Sequence, residues 1–265
     1  MNSIQPLELQ HQSITNRFLR RYPPEVSELT FSNLFVWRKS RPTYLAQVED
    51  SLVFMVDAGG NDTGQKIVFG NPVGDASPVD VVHALDGKVA GFVRIPRSTA
   101  DALAQTGLRV EPDRNNADYV YRVEEMAELA GRRFHKKRNL VKQCLETYEC
   151  TYEPITPKLI PECFDMHERW CKARQCGLDR ELCSEYVAVR EGLGHWERLG
   201  LLGGAIRIDG QIQAFAVGEA LRPDTAVCHF EKALHQFQGL GQLVNQWVSK
   251  YALNRFRFVN REQDL

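Results

Sequence analysis

Long apolar runs are missing from this sequence. The longest, such as "LVFMV" at 52–56, is strand-sized, far below the roughly 20 residues that a membrane-spanning helix needs. The opening stretch "MNSIQPLELQHQSITNRFLRRYPP" lacks the apolar centre of a signal peptide, so the expected location is cytoplasmic. Net charge is nearly absent as well: 33 Lys and Arg against 34 Asp and Glu leave −1. That excludes a globally cationic binder of nucleic acid, and any basic partner surface has to be local. None of the seven cysteines stands in the C-x-x-C spacing of structural zinc sites. Cys163, Cys171, Cys176 and Cys183 cluster in a helical stretch, and His167, four residues before Cys171, shares a helix face with it. In a reducing compartment they read as buried, inert thiols, and no metal is expected. No Ser-His-Asp or Cys-His arrangement is legible.

What is present is the composition of a globular protein, 43% apolar and 25% charged, in 265 residues, enough for one large domain or two of ordinary size. Residues 44–57 alternate as a hairpin around "ED". "KIVFGNPVG" is a strand running into a loop, and "SPVDVVHAL" is a helix with Ser77 as N-cap and Pro78 at its first position. "GFVRIPR", "LRVEP" and "DYVYRV" read as strands and "STADALAQTG" as a short helix. A long helix is expected over 124–148, with Gly131 weakening its middle. After the strand "CTYEPI", Pro154, Pro157 and Pro161 punctuate the chain, and the domain boundary is placed here, giving 1–149 and 150–265. Two helices follow, "PECFDMHERWCKARQ" and "DRELCSEYVAVREGLGHWERLG". Asp209-Gly210 then marks a hairpin within "LLGGAIRIDGQIQAFAVGEAL". "TAVCHFEKAL" is a strand, and a loop with two glycines leads into a helix whose Leu240, Val244, Trp247 and Tyr251 fall at helical spacing as a core stripe. "FRFVNREQDL" closes the chain as a strand that turns polar. Alternating strands and helices argue for mixed α/β sheets, and the similar element order of the two halves points to two related units in tandem.

Four stretches carry candidate chemistry. In "HQFQGLG", Gln236, Gly239, Leu240 and Gly241 lie at a strand-to-helix junction, where unpaired N–H groups and the helix dipole favour a phosphate. The alternative is a tight turn with one left-handed glycine. In "GRRFHKKRN", Arg132, Arg133, Lys136, Lys137 and Arg138 lie within one to two helical turns, as a phosphate-binding surface or a solvated face. His229 and Glu231, two apart on a strand, are expected on one face, where either could take a proton from an attacking amine. The alternative for Glu231 is an ordinary ion pair, and Glu219 on the adjacent strand is the other candidate base. Asn260, Arg261, Glu262, Gln263 and Asp264 follow an apolar strand, as substrate ligands or as a polar tail.

The second-half element order resembles the GNAT (acyl-CoA N-acyltransferase) fold, and Gln236, Gly239 and Gly241 match its [Q/R]-x-x-G-x-[G/A] fingerprint, in which backbone N–H groups hold the pyrophosphate of acyl-CoA. "DYVYRVEEMAELAGRRFHKKRNLVKQCLETY", "FEKAL" and "VNREQDL" resemble the phosphatidylglycerol lysyltransferase C-terminal domain family over nearly the whole chain. That is a tandem-GNAT group with soluble bacterial members, related to the Fem-type peptidoglycan aminoacyltransferases. The resemblance implies two GNAT-like domains with mixed, mostly antiparallel sheets flanked by helices. It also implies transfer of an aminoacyl group from aminoacyl-tRNA, or an acyl group from acyl-CoA, to an amine or hydroxyl, and it brings Asn139 into the basic site. No tightly bound cofactor is expected, only tRNA or CoA as donor. The membrane segments of lipid lysyltransferases are absent, which leaves the acceptor open. Relatives continue where this chain stops at Leu265, so the last elements of the second sheet are expected to lie beyond it. The competing reading is a catalytically degenerate pair that binds nucleotide, RNA or a protein.

Overall fold

The computed structural model describes residues 4–59, 64–85 and 87–263. The chain divides into two compact units, one ending at Asp118 and one starting at Tyr119. Each carries a mixed, mostly antiparallel sheet flanked by helices, the fold class read from the sequence.

In the first unit the order is β1 (Gln5–Pro6), α1 (Gln12–Arg21), α2 (Phe31–Val36), β2 (Thr43–Val48), β3 (Ser51–Asp57), β4 (Lys66–Phe69), β5 (Val73–Gly74), α3 (Pro78–Ala84), β6 (Val89–Val93) and α4 (Arg97–Ala104). The sheet runs β1-β2-β3-β4-β6, with β5 also on β3, and only the β4–β6 pair is parallel. The expected hairpin is β2 and β3, turning at Glu49 with φ 50°. β3, central in the sheet, is buried at every position but its last, with Val53 and Met55 in one cluster with Val81 and Leu85 of the α3 region. Ser77 and Pro78 start α3 as read: the Ser77 hydroxyl accepts from the Asp80 N–H at 3.1 Å. "LRVEP" is a correction. It forms no strand, since no neighbour pairs with it, and Leu108 and Val110 remain 42% and 41% exposed.

The second unit continues with β7 (Val120–Arg122), α5 (Val123–Glu128), α6 (His135–Thr147), β8 (Thr151–Pro154), α7 (Ile160–Arg174), α8 (Arg180–Gly194), α9 (Trp196–Leu199), β9 (Leu202–Ile208), β10 (Gln211–Arg222), β11 (Thr225–Ala233), α10 (Leu240–Tyr251) and β12 (Phe258–Asn260). Its sheet runs β7-β12-β11-β10-β9-β8. The boundary at 149/150 is therefore displaced: β7 pairs with β12, and α5 and α6 both pack on α10, so 119–149 belongs to the second unit. The helix expected over 124–148 is two helices. Leu129 and Gly131 turn left-handed, at φ 51° and 85°, and the Arg138 guanidinium donates to the carbonyls of both. The second long helix likewise breaks at His195, between α8 and α9.

The core of this unit lies between the sheet and α5, α6 and α10, with Ile206, Ala214, Ala216, Ala226 and Cys228 meeting Leu240, Leu243, Val244 and Val248. The stripe on α10 thus runs through Leu243 and Val248, while Tyr251 at its end is 48% exposed. Asp209-Gly210 makes the β9–β10 turn with both residues at positive φ, 51° and 74°, the pattern that suits a two-residue hairpin. On the opposite face α7 packs on β10 and β11, its His167 ring meeting Phe215 edge-on.

Candidate functional site

The site is built on β11. Its neighbour β12 runs parallel to it but pairs only with Thr225–Val227, so the edge of β11 from Cys228 onward parts from that strand. On the other side, Val217 pairs with Phe230 and Gly218 with Cys228. His229 is the extra residue of a bulge, a feature that re-aims side chains and is common next to active sites.

The bulge overturns the expectation that His229 and Glu231 share a face. Glu219 pairs with Val227 and Ala220 with Ala226. Ala226 belongs to the core under α10, so Glu219 projects to the other side, and there His229 Nε2 meets its Oε1 at 2.9 Å. Glu231 is instead reached from α10, by Asn245 at 3.5 Å, and forms an ion pair with Arg261.

His229 also departs from the role of base. Its side chain is 2% exposed, and Nδ1 meets Glu262 Oε1 at 2.7 Å. Burial alone would lower the imidazole pKa, but hydrogen bonds to Glu219 and Glu262, with their charges, outweigh it and raise it to about 10. With carboxylates at both nitrogens the ring is an imidazolium that donates twice, and it has no lone pair to offer a substrate.

Just past β12, the Glu262 N–H donates to Asn260 Oδ1 at 2.9 Å. Glu262 stands at φ 55°, a strained conformation for a non-glycine residue of the kind that clusters at functional sites. That turn delivers Arg261 to Glu231 and Glu262 to His229. Residues singled out in separate segments therefore form two clusters on opposite sides of β11, Glu219 with His229 and Glu262, and Glu231 with Arg261, joined through the turn that Asn260 holds. Gln263 is half-buried beyond them, and Asp264 lies outside the described residues.

The glycine loop divides its roles. Gly239 is the N-cap of α10 at φ 82°, and a Cβ there would lie 2.1 Å from the Leu140 carbonyl oxygen. Its bare backbone is therefore used against α6. Leu240 is fully buried, and its N–H donates to the Phe237 carbonyl at 3.2 Å. Gly241 has no positive φ, and its nearest neighbour would be the Ala233 Cβ at 4.0 Å, so it faces open space. Gln236 is exposed, and no side chain caps α10. Because Gly239 touches Leu140, the loop lies against the basic helix, whose Lys136 and Lys137 precede Leu140 by one turn. Lys136 is exposed and Lys137 half-buried. Asn139 is exposed too, whereas Arg138 holds the α5–α6 break. Arg132 and Arg133 precede α6 in a 3₁₀ turn, and Arg133 pairs with Glu125.

Sequence reading missed Lys232. It is 5% exposed, with Nζ 2.6 Å from Glu185 and 4.2 Å from the centre of the Trp170 ring. A lysine at an apolar position of an alternating strand was the available signal. Beneath it His167 is buried, and among the described residues neither of its ring nitrogens has a hydrogen-bond partner; burial, then the Lys232 charge, lower its pKa to about 4. Cys163, Cys171 and Cys176 are buried and Cys183 is exposed. Burial raises the pKa of Cys163 and Cys171 to about 12. Among the described residues no group of three or more His, Cys, Asp or Glu could hold a metal ion, and no helix is long and apolar enough to cross a membrane.

No curated protein matches the chain. A conserved protein of unknown function from Bacteroides thetaiotaomicron VPI-5482 superposes with a TM-score of 0.88 at 29% identity, over 100% of this chain and 91% of that one. L-PGS from Bacillus licheniformis gives 0.64 at 12% identity, over 95% and 78%. FemX gives 0.56 at 8%, over 100% and 90%; at these identities the last two likenesses are of fold. The family described as "Phosphatidylglycerol lysyltransferase, C-terminal" matches residues 19–263, and the chain belongs to that family.

Proposed function

We propose that this protein is an acyl- or aminoacyltransferase, taking an activated group from aminoacyl-tRNA or acyl-CoA and passing it to an amine or hydroxyl. The observation that carries the reading is the opening of β11 beside Glu231: a bulged strand whose edge leaves its parallel neighbour, with the Glu231–Arg261 pair at that edge and the Glu219–His229–Glu262 cluster behind it. An incoming ammonium can replace the Arg261 guanidinium at Glu231. Glu231 takes one proton from the ammonium and so frees the nitrogen lone pair; the neutral amine then attacks the donor carbonyl, the proton it sheds on attack passes to the departing oxygen or sulfur, and the released guanidinium is available to the oxyanion. The donor's ester or thioester bond breaks, and its oxygen or sulfur leaves with a proton. His229 acts as a positioning cation that holds Glu219 and Glu262. The donor phosphates go to the uncapped first turn of α10 with Lys136 and Lys137, two features that the Gly239–Leu140 contact brings side by side.

One observation favours the second reading, a degenerate binding pair: Glu231, Glu219 and Glu262 all have cation partners already. The two are separated by offering radiolabelled aminoacyl-tRNAs and acetyl-CoA with primary amines as acceptors. A transferase moves label, and Glu231→Gln lowers the rate about 10²- to 10⁴-fold. Transfer of label refutes the degenerate pair, donor binding without transfer supports it, and neither binding nor transfer refutes the transferase.

A further inference from the structure

The first unit carries a cleft that this chemistry does not use. It measures about 510 Å³, within the roughly 300–1,000 Å³ of small-ligand sites, and lies where α1 packs on β5. α1 lines one wall with Arg17 and Arg21, one turn apart, and Phe18 lies beside them, its ring 6.4 Å from that of Tyr22. The lining also includes Asp50, in the β2–β3 turn, and Asp75, just after β5.

Gly74 brings those two carboxylates together. A Cβ there would fall 2.3 Å from Ser51 Oγ and 2.4 Å from the Asp50 carbonyl oxygen, so only glycine lets β5 lie this close to the turn. Arg21 pairs with Asp75 at 3.7 Å, and the Tyr22 phenol hydrogen-bonds to Asp75, which raises its pKa. One charge of each sign is thereby used. Arg17 lies over the Phe18 ring at 5.9 Å, and among the described residues neither it nor Asp50 has an ion pair. A guanidinium and a carboxylate therefore stand available at one cleft with aromatic rings beside them.

We propose that this cleft binds a small apolar zwitterion, a free amino acid or a short peptide, with its carboxylate on Arg17, its ammonium on Asp50 and its side chain against Phe18 and Tyr22. A planar guanidinium suits a carboxylate in two-point contact. Exposed ion pairs are weak, so the dissociation constant should be on the order of 0.1–1 mM.

Titration calorimetry of the full chain at low salt, with leucine and with Leu-Leu, tests this and shows which of the two sources is preferred. N-acetyl-Leu-Leu lacks the ammonium and Leu-Leu-amide the carboxylate. Each should bind at least about tenfold more weakly than Leu-Leu, as expected when one of two charged anchors is lost. Arg17→Gln should weaken Leu-Leu but leave Leu-Leu-amide unchanged, and Asp50→Asn should weaken Leu-Leu but leave N-acetyl-Leu-Leu unchanged. Because the analogues probe the same charges on the unaltered chain, the outcome does not depend on how the variants fold. No saturable binding of leucine or Leu-Leu up to about 10 mM, or equal binding of the blocked analogues, would overturn the proposal.

Discussion

Gly239→Ala should cost this protein far more than Gly241→Ala, although the two glycines are neighbours in one motif. Gly239 stands at φ 82°, and a left-handed backbone costs a residue with a Cβ about 1–2 kcal/mol. The added methyl would also sit 2.1 Å from the Leu140 carbonyl oxygen and 2.8 Å from its carbon. Overpacking of that kind adds about 1–3 kcal/mol, because a carbonyl in the middle of a helix cannot turn aside without losing its own hydrogen bond. The sum is a loss of about 2–5 kcal/mol, or roughly 5–15 °C in melting temperature for a unit of this size. Gly241 has an ordinary φ and only the Ala233 Cβ at 4.0 Å, and helix propensity favours alanine by up to about 1 kcal/mol. That variant should melt with the parent or slightly above it. Urea unfolding of both, beside calorimetry of donor binding, gives the comparison. Gly241→Val should keep the fold and lose the donor. If Gly239→Ala unfolds at the parent's urea midpoint, the close contact with α6 is wrong, and with it the argument that joins the loop to the basic helix.

Two further outcomes follow from the charged groups. The folded pKa of His229, about 10, lies above the roughly 6.5 of a free imidazole, so its stabilisation is complete below about pH 6.5 and is lost as the pH climbs through 10. On the order of 3–5 kcal/mol should disappear over that window; urea melts across pH measure it, and a His229→Gln variant with the same slope would show that another group is responsible. On the basic helix, Lys136→Glu with Lys137→Glu should weaken donor or polyanion binding at unchanged stability. Arg138→Glu should instead destabilise by about 1–2 kcal/mol, since it releases the Leu129 and Gly131 carbonyls. Equal melting temperatures for the two variants would remove the distinction drawn between these side chains.

What the sequence determined by itself is whatever a few adjacent residues decide. Ser77 and Pro78 start a helix because the cap and the fixed φ are local, and Asp209-Gly210 turns a hairpin because both can take positive φ. The same local reading singled out 229–231 and 260–262, polar side chains against strand sequences that are otherwise apolar. Only the tertiary structure decided how these pieces combine. Residues 119–149 join the second unit because Val120 pairs with Asn260, a partner no nearby residue announces. His229 and Glu231 face apart because one residue is bulged against β10, and a slip of one position reverses every face that strand alternation predicts. Gly239 needs its bare backbone for Leu140, about a hundred positions earlier in the chain. Lys232 is buried because Glu185 and Trp170 come from the helices that cover that face. Each is a contact between segments far apart in sequence, and its existence depends on pairing and packing that local propensity does not encode.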